Sequence, residues 1–194
     1  MPNWINNTVF ASGTPASLDK LERIIRNVEN GSAKLFEQVD PCPKELAEEK
    51  CDGLAMAIEE DRPDLVEVLE SILWKPDDDH EIAETARRAL AIARNKRKYG
   101  HASWYGWNCD HWGVKWDADN DSVSLDGRCG NSLSFSFSSP WDTPAKGLQT
   151  LADATGCSLN VEWYDADDGE EDDEGNPVTL SYARVPSRLR FSKL

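Results

Sequence analysis

The chain has 194 residues, 39% of them hydrophobic and 29% charged, and a formal net charge of −15. That length suits one sizeable domain or two small ones, and no apolar run approaches the ~20 residues of a membrane span. The negative field disfavours nucleic acid and anionic membrane as partners and favours basic ones. Met1 to Phe10 is polar and has no basic n-region, so a signal peptide is not expected. The five cysteines, Cys42, Cys51, Cys109, Cys129 and Cys157, are scattered and form no C-x-x-C pair. Neither a zinc site nor a disulfide framework is indicated, and a reducing cytoplasm suits them best.

Trp4 to Ala11 alternates as a strand, with Ile5, Asn7, Val9 and Ala11 on one side. Ser12-Gly13 ends it. Thr14 offers an N-cap with Pro15 at the first helical position. Leu18, Leu21, Ile24, Ile25 and Val28 form one apolar stripe at helical spacing, and Gly31 is a C-terminal stop. Leu35 to Val39 reads as a short second strand, closed by Asp40-Pro41-Cys42-Pro43.

Residues 44–100 read as a helical insertion. Glu45 to Glu60 is weakly helical, Pro63 opens a second helix, and Asp78 with Glu81 has capping-box spacing before a third. The third helix ends in Arg94, Lys96, Arg97 and Lys98, the favourable charge for a helix C-terminus. Four of the chain's eight tryptophans, Trp104, Trp107, Trp112 and Trp116, follow within one short window. Gly106 and Gly113 argue against one long helix there. A short helix or turn is expected over Trp104 to Asp110, then a strand from Trp112 through Val114 and Trp116. Such a cluster of indoles reads first as core and second as a stacking platform, and platforms for bases normally lie in basic grooves.

Ser122 to Leu125 is expected as a strand and Gly127 to Asn131 as a turn. Leu133, Phe135 and Phe137 alternate with Ser132, Ser134, Ser136 and Ser138, a half-buried strand with a serine-lined outer face. Thr143-Pro144 starts a helix through Leu148, Leu151 and Ala154, closed by Gly156. Leu159 to Trp163 and Val178 to Val185 are the last strands. Between them Asp165 to Glu174 holds eight acids and no base, and residues 165–176 are expected to form a flexible acidic loop. This order predicts a single α+β domain with a ferredoxin-like, mainly antiparallel sheet, helices on one face and a helical insertion.

Several segments resemble one family. Met1-Pro2-Asn3-Trp4 with Asn6 and Gly13, and Phe36 with Pro41-x-Pro43, are two of them. Tyr105-Gly106-Trp107-Asn108 leads to Trp112-Gly113-Val114-Lys115-Trp116-Asp117-Ala118, and Phe137-x-Ser139-x-Trp141-x-x-Pro144 follows. Together these are similar to the YubB ferredoxin-like (Api-type) proteins of phages, plasmids and other mobile elements. The chain departs from that pattern at Ile5, Val114 and Ser139 and in the acidic run after Tyr164. The resemblance implies a ferredoxin-like sheet with a variable helical insertion, and it carries no catalytic residues across.

Few residues propose chemistry. His80, His101 and His111 lack metal-ligand spacing. A Cys109–His111 dyad has Asp110 between its members, which works against a thiolate. Asp117, Asp119 and Asp121 mimic half of a calcium loop, but Ser122 and Arg128 stand where glycine and glutamate are required. No cofactor, metal or catalytic residue is expected. The expected function is that of a non-enzymatic interaction protein of a mobile element, with a host protein, basic in character, as partner. The alternatives are a small-ligand binder or enzyme using a cleft near Trp104, Trp107, His111 and Lys115, and an acidic mimic of DNA.

Overall fold

The structure, a computed structural model, describes residues 3–60, 80–165 and 181–185. The helix expected after Pro63, the Asp78 cap and the acidic loop beyond Asp165 lie outside them. The chain divides into two compact units, Met1–Pro41 with Asp110–Leu194, and Cys42–Cys109.

The larger unit is built on β1 (Trp4–Ser12), α1 (Pro15–Glu29), β2 (Ser124–Cys129), β3 (Ser132–Pro140), α6 (Ala145–Thr155), β4 (Ser158–Asp165) and β5 (Ser181–Val185). The sheet order is β2-β3-β1-β4-β5, and each pairing among these strands is antiparallel. The first four strands and two helices thus follow the β-α-β-β-α-β plan of a ferredoxin-like sheet, with β5 added beside β4. α1 starts where the sequence places it: Thr14 accepts the Ser17 N–H and Pro15 opens the helix. Its stripe of Leu18, Leu21, Ile24, Ile25 and Val28 is buried. Leu148, Leu151 and Ala152 of α6 are buried as well, as are Ile5, Val9, Ala11, Leu133, Phe135, Phe137, Leu159 and Val161 on the strands. Each of these strand residues alternates with an outward one, so α1 and α6 cover one face and, among the described residues of this unit, no helix covers the other.

The hairpin between β2 and β3 is tighter than expected. Gly127 to Cys129 continue the strand past a bulge between Leu125 and Gly127, and Cys129 pairs with Ser132. Only Gly130 and Asn131 turn, with Gly130 at φ 55, as a glycine-first two-residue loop requires. A short 3-10 turn, Asn120–Ser122, occupies the beginning of the segment expected as strand.

Two expected strands are absent. Leu35 to Val39 is a run of turns, and Trp112 to Trp116 is a series of turns and bends. One buried carboxylate explains the first, and a backbone turn at Gly113 the second. Asp117 accepts backbone N–H groups from Leu35 (3.2 Å), Phe36 (3.0 and 3.1 Å), Glu37 (3.0 Å) and Ala118 (2.7 Å). Three consecutive N–H groups converging on one side chain demand a curled backbone, since a strand points alternate groups to opposite sides. Burial pushes the Asp117 carboxyl above its usual range, and the N–H donors of Phe36, Glu37 and Ala118 pull it back. Gly113, at φ 87, leaves the extended region altogether. Asp117 and Asp119, two of the calcium-loop residues, go to different tasks, because Asp119 caps the 3-10 turn through the Asp121 N–H.

The smaller unit holds α2 (Lys44–Ala47), α3 (Gly53–Glu59), α4 (His80–Tyr99) and the first six residues of α5 (Trp104–His111). Asp52 breaks the span expected as one weak helix, because its carboxylate caps the Leu54 and Ala55 N–H groups and starts α3 anew. Ala55, Ile58, Ala86, Ala89, Ile92 and Ala102 form this unit's core. Arg88 on α4 reaches Glu49 and Asp52, each at 2.6 Å. The basic cluster is partly structural. Lys96 donates to the carbonyls of Ile58 and Glu59 at the end of α3, and Lys98 pairs with Glu45 at 3.3 Å. Gly106 does not interrupt α5. It makes room for Glu59, whose carboxylate accepts the Ala102 N–H and meets His101 Nδ1.

Asp117→Ala should destabilise the protein by ~3–5 kcal/mol, because it strands several N–H donors at ~1–3 kcal/mol each. Asp117→Asn keeps one acceptor oxygen and should fall between that variant and wild type in denaturant unfolding. A second test concerns the smaller unit. The Arg88 guanidinium and the capped N–H groups hold the Asp52 carboxyl below its usual range. A depressed folded-state pKa contributes stability above the unfolded value and loses it as pH falls through the folded one. The gap in unfolding midpoint between wild type and Arg88→Ala should therefore be full at neutral pH and shrink below about pH 4.

Candidate functional site

The residues singled out in the sequence fall in both units. Trp104 and Trp107 belong to the smaller one. Trp107 is buried core at 4% exposure, and Trp104 is half-buried with its ring edge-on to Tyr105 at 6.0 Å. His111 and Lys115 belong to the larger one. His111 Nδ1 lies 2.9 Å from Asp40 Oδ2, and the indole N–H of Trp112 donates to the Asp40 carbonyl at 3.1 Å. Trp112 is 3% exposed and packs on Phe36 at 6.3 Å, which in turn meets Phe137 edge-on at 6.0 Å. α6 presses on the same ring. A Cβ on Gly147 would stand 2.8 Å from Phe36 Cδ1, so only glycine fits there.

Lys115 points to a feature that the sequence reading missed. Its ammonium lies 4.5 Å from the Trp116 ring centroid and 5.5 Å from that of Trp141. The two indoles are 5.2 Å apart and inclined at 38°. Trp116 is 40% exposed and Trp141 49%, although Trp116 belongs to the cluster read first as core. Trp141 also has φ 64, the single non-glycine residue with positive φ among the described residues. A bulky side chain there is an outlier that the surroundings must enforce.

Those surroundings are specific. Asn7, buried on the inner face of β1, donates to Ser139 Oγ (2.8 Å) and to the carbonyls of Ile5 (3.0 Å) and Phe137 (3.3 Å). Its carbonyl oxygen accepts the Thr143 hydroxyl at 2.9 Å, and Ser139 Oγ donates to the Asp142 carbonyl at 2.7 Å. The Trp141 N–H donates to Asn3 O at 2.8 Å. The corner after β3 is pinned on both sides of Trp141, and its ring is held outward.

The second candidate surface is the uncovered face of the sheet. Phe10 stands 43% exposed there. Its cross-strand partners are Ser134 on β3 and Asn160 on β4, both too short to cover a ring. Beside it is a concavity of about 500 Å³ lined by Phe10, Ser12, Arg128, Cys129, Ser134 and Asn160, with four further residues. Arg128 at its rim pairs with Asp19 and Glu22, each at 2.7 Å. The period-two serines revealed the outward face in the sequence, but not that Phe10 would stand exposed beside a concavity on it.

Burial divides the tryptophan cluster into rings that hold the fold and rings that do not. Trp112→Ala should cost ~3–5 kcal/mol in denaturant unfolding, the usual range for a truncated core aromatic. Trp116→Ala should cost ~1 kcal/mol or less, since its ring is partly solvated and loses chiefly one aromatic pair.

No family model matches the sequence, and no curated protein matches it. Among solved structures the chain is similar to a protein api92 from Yersinia pseudotuberculosis, assigned to the family DUF1281. The identity is 13% and the TM-score 0.43, over 95% of this chain and 98% of that one.

Proposed function

We propose that this chain is a non-enzymatic binding protein that recognises a host protein through the uncovered face of its sheet. One observation carries the reading: an exposed ring, Phe10, beside a concavity of about 500 Å³ on the sheet face that α1 and α6 leave open. An exposed aromatic ring beside a concavity is the kind of anchor that supplies most of a contact's affinity while its surround excludes water. Serine and asparagine neighbours supply hydrogen bonds at little cost in side-chain ordering. The resemblance to mobile-element proteins supports an accessory role in a host, and the net charge of −15 supports a basic partner.

The test is capture from host lysate with wild type and with Phe10→Arg and Ser134→Arg. Both variants replace outward side chains on a face that needs no packing, so each should fold. Wild type should retain a defined partner, and both variants should lose it by tenfold or more, about 1.4 kcal/mol. A partner retained equally by the variants would remove the sheet face from the interaction. Failure of wild type to retain any partner would remove the reading itself.

A further inference from the structure

We propose that Trp116 and Trp141 form a recognition site for the guanidinium group of an arginine on a basic partner, and that Lys115 occupies it in the free protein. The site lies at the end of β3 and shares no residue with the concavity beside Phe10, so it goes beyond the sheet-face reading and does not depend on it.

Two exposed indoles 5.2 Å apart present a broad π surface. Such a surface attracts a cation through the ring quadrupoles, most strongly for indole. The molecule already places a cation there: the Lys115 ammonium is within 4.5 Å of one ring centroid and 5.5 Å of the other. The geometry is therefore competent for a cation, and the intramolecular one acts as a placeholder. Guanidinium is the better occupant, because it is planar, weakly hydrated and stacks on aromatic faces, whereas an ammonium is compact and strongly hydrated.

The backbone supports a binding role over a packing one. The positive φ of Trp141, closed by the Asp142 N–H to the Pro140 carbonyl at 2.9 Å, costs the fold energy that glycine would spare, yet the Asn7, Ser139 and Thr143 network enforces it. The result is a ring directed to solvent. Charge favours a basic occupant. Asp142 is next to Trp141 in the chain, and the Asp119 N–H bonds the Ser138 carbonyl at the end of the same strand.

The experiment is titration of the full chain with hexa-arginine, hexalysine and hexaglutamate peptides at low salt, followed by calorimetry and by the indole N–H resonances. Trp116→Ala and Trp141→Gly leave the net charge unchanged, so general attraction to an acidic protein is the same in both. Glycine adopts the Trp141 backbone conformation freely, which keeps that variant folded. Hexa-arginine should bind wild type more tightly than hexalysine and shift the resonances of these two indoles. Each tryptophan variant should weaken it about two- to fivefold. Lys115→Ala should tighten it by more than the loss of one positive charge does at a distant site, for which Lys20→Ala, at the far end of α6 beside Ala154, is the control. Equal binding by the tryptophan variants, equal binding of hexalysine, or no gain from Lys115→Ala over Lys20→Ala would each overturn the proposal.

Discussion

A single buried carboxylate organises the larger unit. Asp117 gathers the N–H groups of three consecutive residues, Leu35 to Glu37, far away in the sequence. Without it those donors have no partner, and a buried donor without an acceptor is among the more costly defects a fold can carry. With it the segment after α1 curls, Phe36 is delivered into the core, and Trp112 and α6 close over that ring. Residues 112–118 form a bent strap and not a strand, with Gly113 at φ 87. Trp112 and Val114 turn inward and Trp116 outward.

A second polar knot, on Asn7, does for the corner after β3 what Asp117 does for the strap. Amide, hydroxyl and carbonyl groups satisfy one another inside the core, which is the condition for a buried polar network to specify one geometry. The geometry specified is a strained one. A tryptophan is held at positive φ with its ring in solvent, beside a second exposed tryptophan delivered by the first knot. Two independent buried networks thus meet in one surface feature. Chance exposure of an indole requires neither.

The two outward surfaces differ in kind. The sheet face is broad and polar, with the exposed rings of Phe10 and Tyr164 among serines and asparagines, and its shape follows from the antiparallel plan itself, since α1 and α6 cover only one side. The indole pair is small and apolar, and depends on side-chain networks that the plan does not require. A protein using both would hold a partner at an anchor on the sheet and sense its charge at the edge.

Sequence periodicity was enough for the elements that repeat a simple rule. The Leu18 to Val28 stripe, the Thr14-Pro15 start and the alternation of Leu133, Phe135 and Phe137 report helix and strand directly, because each residue's burial depends on its own position in a regular element. The ferredoxin-like plan followed from those elements and their sequence order, and the strand order came from the structure. The failures lie where distant side chains override local pattern. Leu35 to Val39 has strand-like composition, but the acceptor for its geometry is Asp117, whose role no local spacing announces. Gly106 lies inside the short helix expected over Trp104 to Asp110, yet nothing local announced that it makes room for the Glu59 carboxylate. The tryptophan cluster marked the right region for a surface and could not say which rings were core. Trp107 and Trp112 are buried while Trp116 pairs with Trp141 outside the cluster. That division is decided by packing and by two hydrogen-bonded networks, and both exist only once the chain has folded.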